Sequence, residues 1–318
     1  GASALATRLE ILADRSLVDF QRLLLPGGRL AGFAYFREAW AIDYLLHPSD
    51  EATGIHYRLL PMIHAIINHM LTPPQAERHV GFMREHLLAP DGARLFDKPP
   101  RYRGGEQRYF QRAETSTNFG REIGIMYTHA HLRYAEAMAT WGDAEAFWLA
   151  LRQAIPIGLR DVVPNARLRQ ANTYASSSDA AFPDRYVAQE RYDEVRSGRV
   201  AIEGGWRTYS SGAGIAFRLI HERLFGIRRG RVTTTIDPVL PKVLDGLVLD
   251  VTLADKPVRI AYTVGARGAG PVAVELDGVA LSFERERNPY RPGGAVVATA
   301  ELARRIKARG SVLTVRLG

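Results

Sequence analysis

Cysteine is absent from the 318 residues, which excludes disulfides and thiolate metal sites and agrees with a cytoplasmic protein. Lysine is scarce: Lys98, Lys242, Lys256 and Lys307 are four of 42 basic residues, and the formal net charge of +8 is therefore carried by arginine. The arginines are dispersed, with no basic block, zinc-finger or RNA-recognition pattern, so nucleic acid is not an expected partner. A high pI by itself speaks only to solubility and non-specific attraction. No apolar run approaches the roughly 20 residues needed to span a bilayer, so no membrane partner is expected. The nine histidines are scattered and no His-Glu-x-x-His occurs, which argues against a metal centre. Internal repeats and low-complexity tracts are missing too.

What is present begins with GASALATRLEILADRSLVDF, apolar at helical spacing and charged throughout, which reads as an amphipathic helix and not as a secretory signal. It opens on Gly instead of Met, so a piece of a longer polypeptide is expected. Helical periodicity continues in GIHYRLLPMIHAIINHML (residues 54–71) and in PPQAERHVGFMREHLL, where Thr72 is a candidate N-cap and Pro73 the first helical residue. Residues 90–117 read as loop. The pattern IGIMYTHAHLRYAEAMATW predicts a helix over 123–141, joined through Gly142-Asp143 to AEAFWLALRQAI as an antiparallel pair. Residues 155–200 hold few periodic signals, and a further helix is expected at about 213–225, ending at Gly226.

From about residue 231 the texture changes to short β-branched runs, RVTTTI, LVLDVTL, VRIAYTV, PVAVELDG, GAVVATA and SVLTVRL, with one late helix, TAELARRIKAR. The fold class expected is mainly α with a β domain. Residues 1–230 form helical hairpins, and 231–318 form a small antiparallel β-sandwich.

Three stretches carry candidate chemistry. In EGGWRTYSSGAGI, the residues Ser210, Ser211, Gly212 and Gly214 precede a helix, so hydroxyls and unpaired N–H groups converge at its positive end. Two readings fit: an ordinary serine N-cap, or an anion site; no Lys follows the glycines, so it is not a P-loop. In NFGREIGIMYTHAHLRYAEAM, His129 and His131 are two apart and so face different sides of a helix, a poor metal pair. The polar side chains of RQANTYASSSDAAFPDRY suit turns and caps, and equally suit sugar hydroxyls. Tyr174, Phe182, Tyr186, Trp206 and Tyr209 could stack on pyranose rings or simply fill a core.

Five segments, YLLHPSDEATGIHYRLLPM, FGREIGIMYTHAHLRYAEAM, NTYASSSDAAFPDRY, GGWRTYSSGAGI and IDPVLPKVLDGL, follow one another here as they do in glycoside hydrolase family 94. The chain resembles that family over nearly its whole length, most strongly its phosphorylases of β-1,2-linked oligoglucans. The resemblance implies that 1–230 is the C-terminal part of an (α/α)6 barrel catalytic domain, followed by the β-sandwich. It implies phosphorolysis of a β-glucooligosaccharide, with inorganic phosphate as co-substrate, α-glucose 1-phosphate as product, inverted configuration and no cofactor. It assigns phosphate contact to His129, Ser210, Ser211 and Gly212. To the sugar subsites it assigns Arg121 and Glu122, with Glu114, Trp206 and Tyr209 as further lining.

An inverting hydrolase needs a general acid and a general base, whereas phosphate is already an anion and needs only to be held in line. One departure stands out: the family's general acid lies in an Asp-Trp-Asn/Asp-type motif, and no such motif occurs in these residues. The resemblance places it upstream, so this stretch is expected to be a C-terminal third without turnover of its own. Its expected partners are the missing N-terminal portion or another copy of the chain. The alternatives are a non-catalytic carbohydrate- or anion-binding module, half of a split enzyme, or a domain of a cyclic β-1,2-glucan synthase.

Overall fold

The computed structural model describes residues 2–30, 33–35, 44–46, 53–102, 104, 126–168, 175–205 and 210–318. The described helices are α1 (Ala2–Asp19), α2 (Leu59–Ile67), α3 (Pro73–Phe82), α4 (Thr128–Trp141), α5 (Ala144–Ala154), α6 (Leu159–Val162), α7 (Arg185–Glu190), α8 (Asp193–Arg196), α9 (Ser210–Leu219) and α10 (Thr299–Arg305). Strands before α9 are β1 (Phe33–Tyr35), β2 (Tyr44–Leu46), β3 (Leu88–Ala89), β4 (Gly92–Ala93), β5 (Met126–Tyr127), β6 (Ser177–Ala180) and β7 (Ile202–Gly204). Those after it are β8 (Ile227–Arg229), β9 (Thr233–Ile236), β10 (Val248–Leu253), β11 (Lys256–Thr263), β12 (Pro271–Leu276), β13 (Val279–Ala280), β14 (Glu284–Arg285), β15 (Ala295–Ala298) and β16 (Ser311–Leu317). The architecture is thus mixed α and β. No described helix is long and apolar enough to cross a membrane.

The chain divides into two compact units. One comprises residues 1–130, 165–167 and 177–205; the other comprises 131–164, 168–176 and 206–318. In the first, α2 buries Leu59, Met62, Ile63 and Ile66, and α3 buries Ala76 and Val80. Thr72 starts α3 as expected, its N–H donating to the Gln75 side chain at 2.9 Å in a capping box, with Pro73 at the first position. The helix expected over 54–71 is shorter: residues 55–57 are irregular, Arg58 is the extended N-cap, and α2 runs only from Leu59 to Ile67. Strand β6 lies between β5 and β7, and beside it Ala89, Ala180, Tyr192, Val195 and Ile202 form an apolar cluster joined by Phe182 and Val200. Elements of four to six residues are too short to show a period, which is why 155–200 read as irregular.

In the second unit α4 and α5 form the expected hairpin. Gly142 takes φ +100° in the link, and the Asp143 carboxylate caps α5 by accepting from Ala146 N–H at 2.9 Å. The helix start expected at residue 123 needs correction: Met126 and Tyr127 are in a strand, and α4 starts at Thr128. Helix α9 likewise starts at Ser210 and not near 213. It runs on through a π-turn, Ile220–Leu224, and stops at Gly226, whose left-handed backbone (φ +71°) sits where a Cβ would lie 2.1 Å from Pro238 N.

Residues 227–318 build two sheets, one ordered β10-β11-β16-β12-β13 and one ordered β14-β15-β9-β8. Alternation buries one face of each: Val258, Ile260 and Tyr262 on β11, Leu313, Val315 and Leu317 on β16, Ile236 on β9, Ala295 and Val297 on β15. Pairing is antiparallel as expected, except that β11 and β16 run parallel. The intervening chain, including α10, supplies the long crossover a parallel pair requires. Asp277-Gly278 forms the two-residue hairpin turn between β12 and β13, both residues at positive φ (51° and 77°).

Candidate functional site

His129 sits in the first turn of α4, half-buried, with its ring stacked beside Tyr127 (centroids 5.9 Å apart, planes at 17°). Tyr127 ends β5 opposite Ser177 of β6. On the other edge of β6, Ser178, Asp179 and Ala180 pair with Gly204, Glu203 and Ile202 of β7, and Gly205 N–H donates to Ser177 O at 2.9 Å. Three stretches that are remote in sequence, the His129 motif, the serine run and Glu203-Gly-Gly205, therefore meet in one three-stranded sheet. Both outer strands are antiparallel to β6, so β5 and β7 leave the sheet at the same end. With strands about 4.8 Å apart, the two exits at Tyr127 and Gly205 are about 10 Å from each other. His129 follows the Tyr127 exit by two residues.

Gly205 is required by space alone. Its backbone is not left-handed, but a Cβ there would lie 2.0 Å from Ser177 Oγ. Ser176, Ser177 and Ser178 are all buried, the last two within β6 and Ser176 just before it. In the same stretch Asp184 caps α7, accepting from Tyr186 N–H and Val187 N–H at 2.9 Å each, and Phe182 packs against the apolar cluster. Tyr186 is exposed, with Tyr102 edge-on at 5.7 Å.

Ser210, Ser211 and Gly212 open α9. Because the helix starts at Ser210, their N–H groups are among the first four that no intrahelical carbonyl can reach. Ser211 is exposed and Gly212 buried. Glu114, Arg121, Glu122, Trp206 and Tyr209, as well as Tyr174, lie outside the described residues. His131 is fully buried, its Nε2 donating to Ala150 O at 2.8 Å between α4 and α5. It therefore holds the helix hairpin together.

Two buried carboxylates that sequence reasoning passed over organise the second unit. Glu136 of α4 receives Arg218 of α9 at 2.6 Å and Arg133 at 2.7 Å, with Arg223 at 3.7 Å. Burial works to raise the Glu136 pKa, but the hydrogen bonds from Arg218 and Arg133 and the nearby cationic charge outweigh it and hold the carboxyl below its ordinary value. Asp237 takes both Nη atoms of Arg291 at 2.8 and 2.9 Å and Arg228 at 3.4 Å, with Arg223 at 3.9 Å. Arg291 also donates to Ala139 O (3.1 Å), and Asn288 to Thr140 O (3.0 Å), covering carbonyls that the end of α4 leaves open. The only sequence signal for this network is an excess of arginine, and dispersed arginines do not announce which acid each one meets.

Residues 226–309 match the family described as glycoside phosphorylase C-terminal domain. Over 296 residues, 93% of its length, the chain is 40% identical to a 1,2-beta-oligoglucan phosphorylase of Listeria innocua, and it spans 27% of that protein. Over 152 residues, 48% of its length, it is 29% identical to the cyclic beta-(1,2)-glucan synthase NdvB of Rhizobium meliloti, covering 5% of that protein. Residues 226–309 thus carry the glycoside phosphorylase C-terminal domain, and the chain as a whole is similar to about a quarter of a 1,2-beta-oligoglucan phosphorylase.

Proposed function

We propose that these residues form the phosphate side of a phosphorylase that cleaves β-1,2-glucooligosaccharides. Inorganic phosphate attacks the anomeric carbon, the glycosidic oxygen leaves with a proton, and α-glucose 1-phosphate forms with inversion. Ser210, Ser211 and Gly212 offer N–H and hydroxyl donors at the positive end of α9, and His129 supplies a further donor. Together they balance the charge of the phosphate and hold it in line with the bond to be broken. Glu114, Arg121, Glu122, Trp206 and Tyr209 line the sugar subsites. In this reading residues 1–230 contribute part of an (α/α)6 barrel, and 231–318 are a β-sandwich attached to it.

The observation that carries the reading is the 40% identity, over 93% of the chain, to a 1,2-beta-oligoglucan phosphorylase. Within the second unit, Arg218 of the helix that Ser210 opens also binds Glu136 of α4. The proton for the leaving oxygen has no Asp-Trp-type donor in these residues. We therefore place that donor in another part of the phosphorylase and expect no turnover from this stretch alone.

Calorimetric titration with inorganic phosphate tests the site. The parent chain should bind, and His129→Ala and Ser211→Ala should each bind about tenfold or more weakly, the loss of one charge-assisted hydrogen bond. Equal binding by all three, or by none, refutes the assignment. Release of glucose 1-phosphate from sophorooligosaccharides by the chain alone would refute the placement of the acid.

A further inference from the structure

Beside the β-sheets of the second unit lies a cleft of about 700 Å³, bounded by the α4–α5 link, residues 240–242, the 265–269 turn and residues 290–292. All of these residues belong to one compact unit. Its size falls within the ~300–1,000 Å³ usual for sites that take small molecules. Two aromatic rings stand in it, Trp141 and Tyr290, both partly exposed, with centroids 5.6 Å apart and planes at 49°. Tilted in this way, they do not cover each other face to face.

The charged lining is Asp143 and Glu145 with Lys242, Arg267 and Arg291, and most of it is already matched: Asp143 caps α5, Glu145 accepts from Lys242 N–H, and the Lys242 ammonium meets Asp245 at 2.6 Å. The Arg291 guanidinium is engaged by Asp237 and Ala139 O. With the charges of Lys242 and Arg291 met by Asp245 and Asp237, the lining offers donors and acceptors around aromatic faces without a concentrated positive charge, which selects neither an anion nor an apolar ligand. It suits a neutral polyol, whose hydroxyls donate and accept and whose C–H faces lie on aromatic rings.

The walls are also held in shape before any ligand arrives. Leu240 N–H donates to Gly268 O at 2.8 Å, Lys242 N–H to Glu145 Oε1 at 3.2 Å, and Lys242 Nζ to Val264 O at 2.7 Å. Gly142 and Gly268 are at positive φ and approached closely, by Arg291 Cδ at 2.8 Å and Leu240 O at 2.2 Å from where a Cβ would stand. Substitution at either would push one wall into the other.

We propose that this cleft is an accessory site for the β-linked glucan, holding a stretch of the oligosaccharide on Trp141 and Tyr290 away from the phosphate. The proposal rests on the reading of the chain as part of an oligoglucan phosphorylase. The ligand is the same polymer, bound without reaction, and the site would favour longer chains by keeping them on the protein between turnovers.

The test is calorimetric titration of the protein with linear β-1,2-glucooligosaccharides of increasing length, with maltooligosaccharides of matched length as controls. Trp141→Ala and Arg267→Ala should each weaken binding of the longer β-1,2 chains by about tenfold, the loss of a stacking face or a hydrogen bond. Arg267 is exposed, so its variant guards against the first simply loosening the α4–α5 link. His129→Ala should leave this binding intact. Unchanged affinity in both cleft variants, equal binding of maltooligosaccharides, or loss of the long-chain binding in His129→Ala overturns the proposal. A failed phosphate titration with glucan binding still dependent on Trp141 and Arg267 would instead sink the phosphate site and leave the cleft standing.

Discussion

Gly205→Ala is the most direct perturbation of the scaffold under the proposed phosphate site. The added Cβ would stand 2.0 Å from Ser177 Oγ, about 1.4 Å inside ordinary contact at 3.4 Å, with Ser177 Cβ at 3.3 Å and Asp179 Oδ2 at 3.4 Å behind it. Ser177 is only 2% exposed, so either its hydroxyl turns into packed surroundings or the chain leaving β7 moves outward. Overpacking of this kind costs about 1–3 kcal/mol. The displaced segment is the one that runs on to Ser210, and a misplacement of about 1 Å in a positioning element can cost on the order of 100-fold in rate. Phosphorolysis kinetics with phosphate as the varied substrate, on the full gene product carrying these residues, should show kcat/KM lowered by about 10- to 100-fold. Ser177→Ala/Gly205→Ala removes the clashing oxygen and should recover at least about tenfold of that loss, because the nearest remaining atom would be the Cβ at 3.3 Å. Wild-type kinetics and stability in Gly205→Ala, or a double variant no better than the single one, would refute the contact with Ser177 as the reason for glycine at 205.

Two further outcomes follow from buried polar groups. Asp237→Ala leaves Arg291 and Arg228 facing each other without the carboxylate that joins them; breaking such a buried pair costs about 3–5 kcal/mol, read as a lowered urea midpoint with an unchanged m-value. A loss under about 1 kcal/mol would mean that water or Glu286 replaces the carboxylate at little cost. His79 is buried, its Nδ1 donating to Gln75 O (2.7 Å) and its Nε2 accepting from Leu30 N–H (3.1 Å). Burial is the main cause of a pKa below the ordinary 6.5, with Arg78 and Arg29 adding to it and the Gln75 bond opposing it. A histidine with a depressed native pKa binds more protons unfolded, so its contribution to stability is complete above about 6.5 and is lost as pH falls below that value. Unfolding free energies measured between pH 7 and pH 5 should therefore fall more steeply for the parent than for His79→Gln; equal slopes would refute the neutral tautomer.

Much of the local structure was legible because its causes are local. Thr72-Pro73 starts α3, Asp277-Gly278 turns a hairpin, and Gly226 stops α9's π-turn, each decided by side-chain and backbone chemistry within about four residues. The starts of α4 and α9 were misplaced for the same reason in reverse. Met126 and Tyr127 continue an apolar helical period, but pairing with Ser178 and Ser177, some fifty residues away, draws them into a strand. Tertiary hydrogen bonding overrode a weak propensity there.

By itself the amino-acid order determined the α4–α5 hairpin, the β-rich last quarter and the ordered motifs through which the chain resembles the glycoside phosphorylases. Only the tertiary structure decided that Tyr127 and Gly205 flank one serine, that Glu136 and Asp237 gather scattered arginines, and that β11 lies parallel to β16. Periodicity and capping record what a residue does with its neighbours along the chain. Which distant segments meet depends on the burial and hydrogen bonding gained when long loops close, and no short window of residues carries that information.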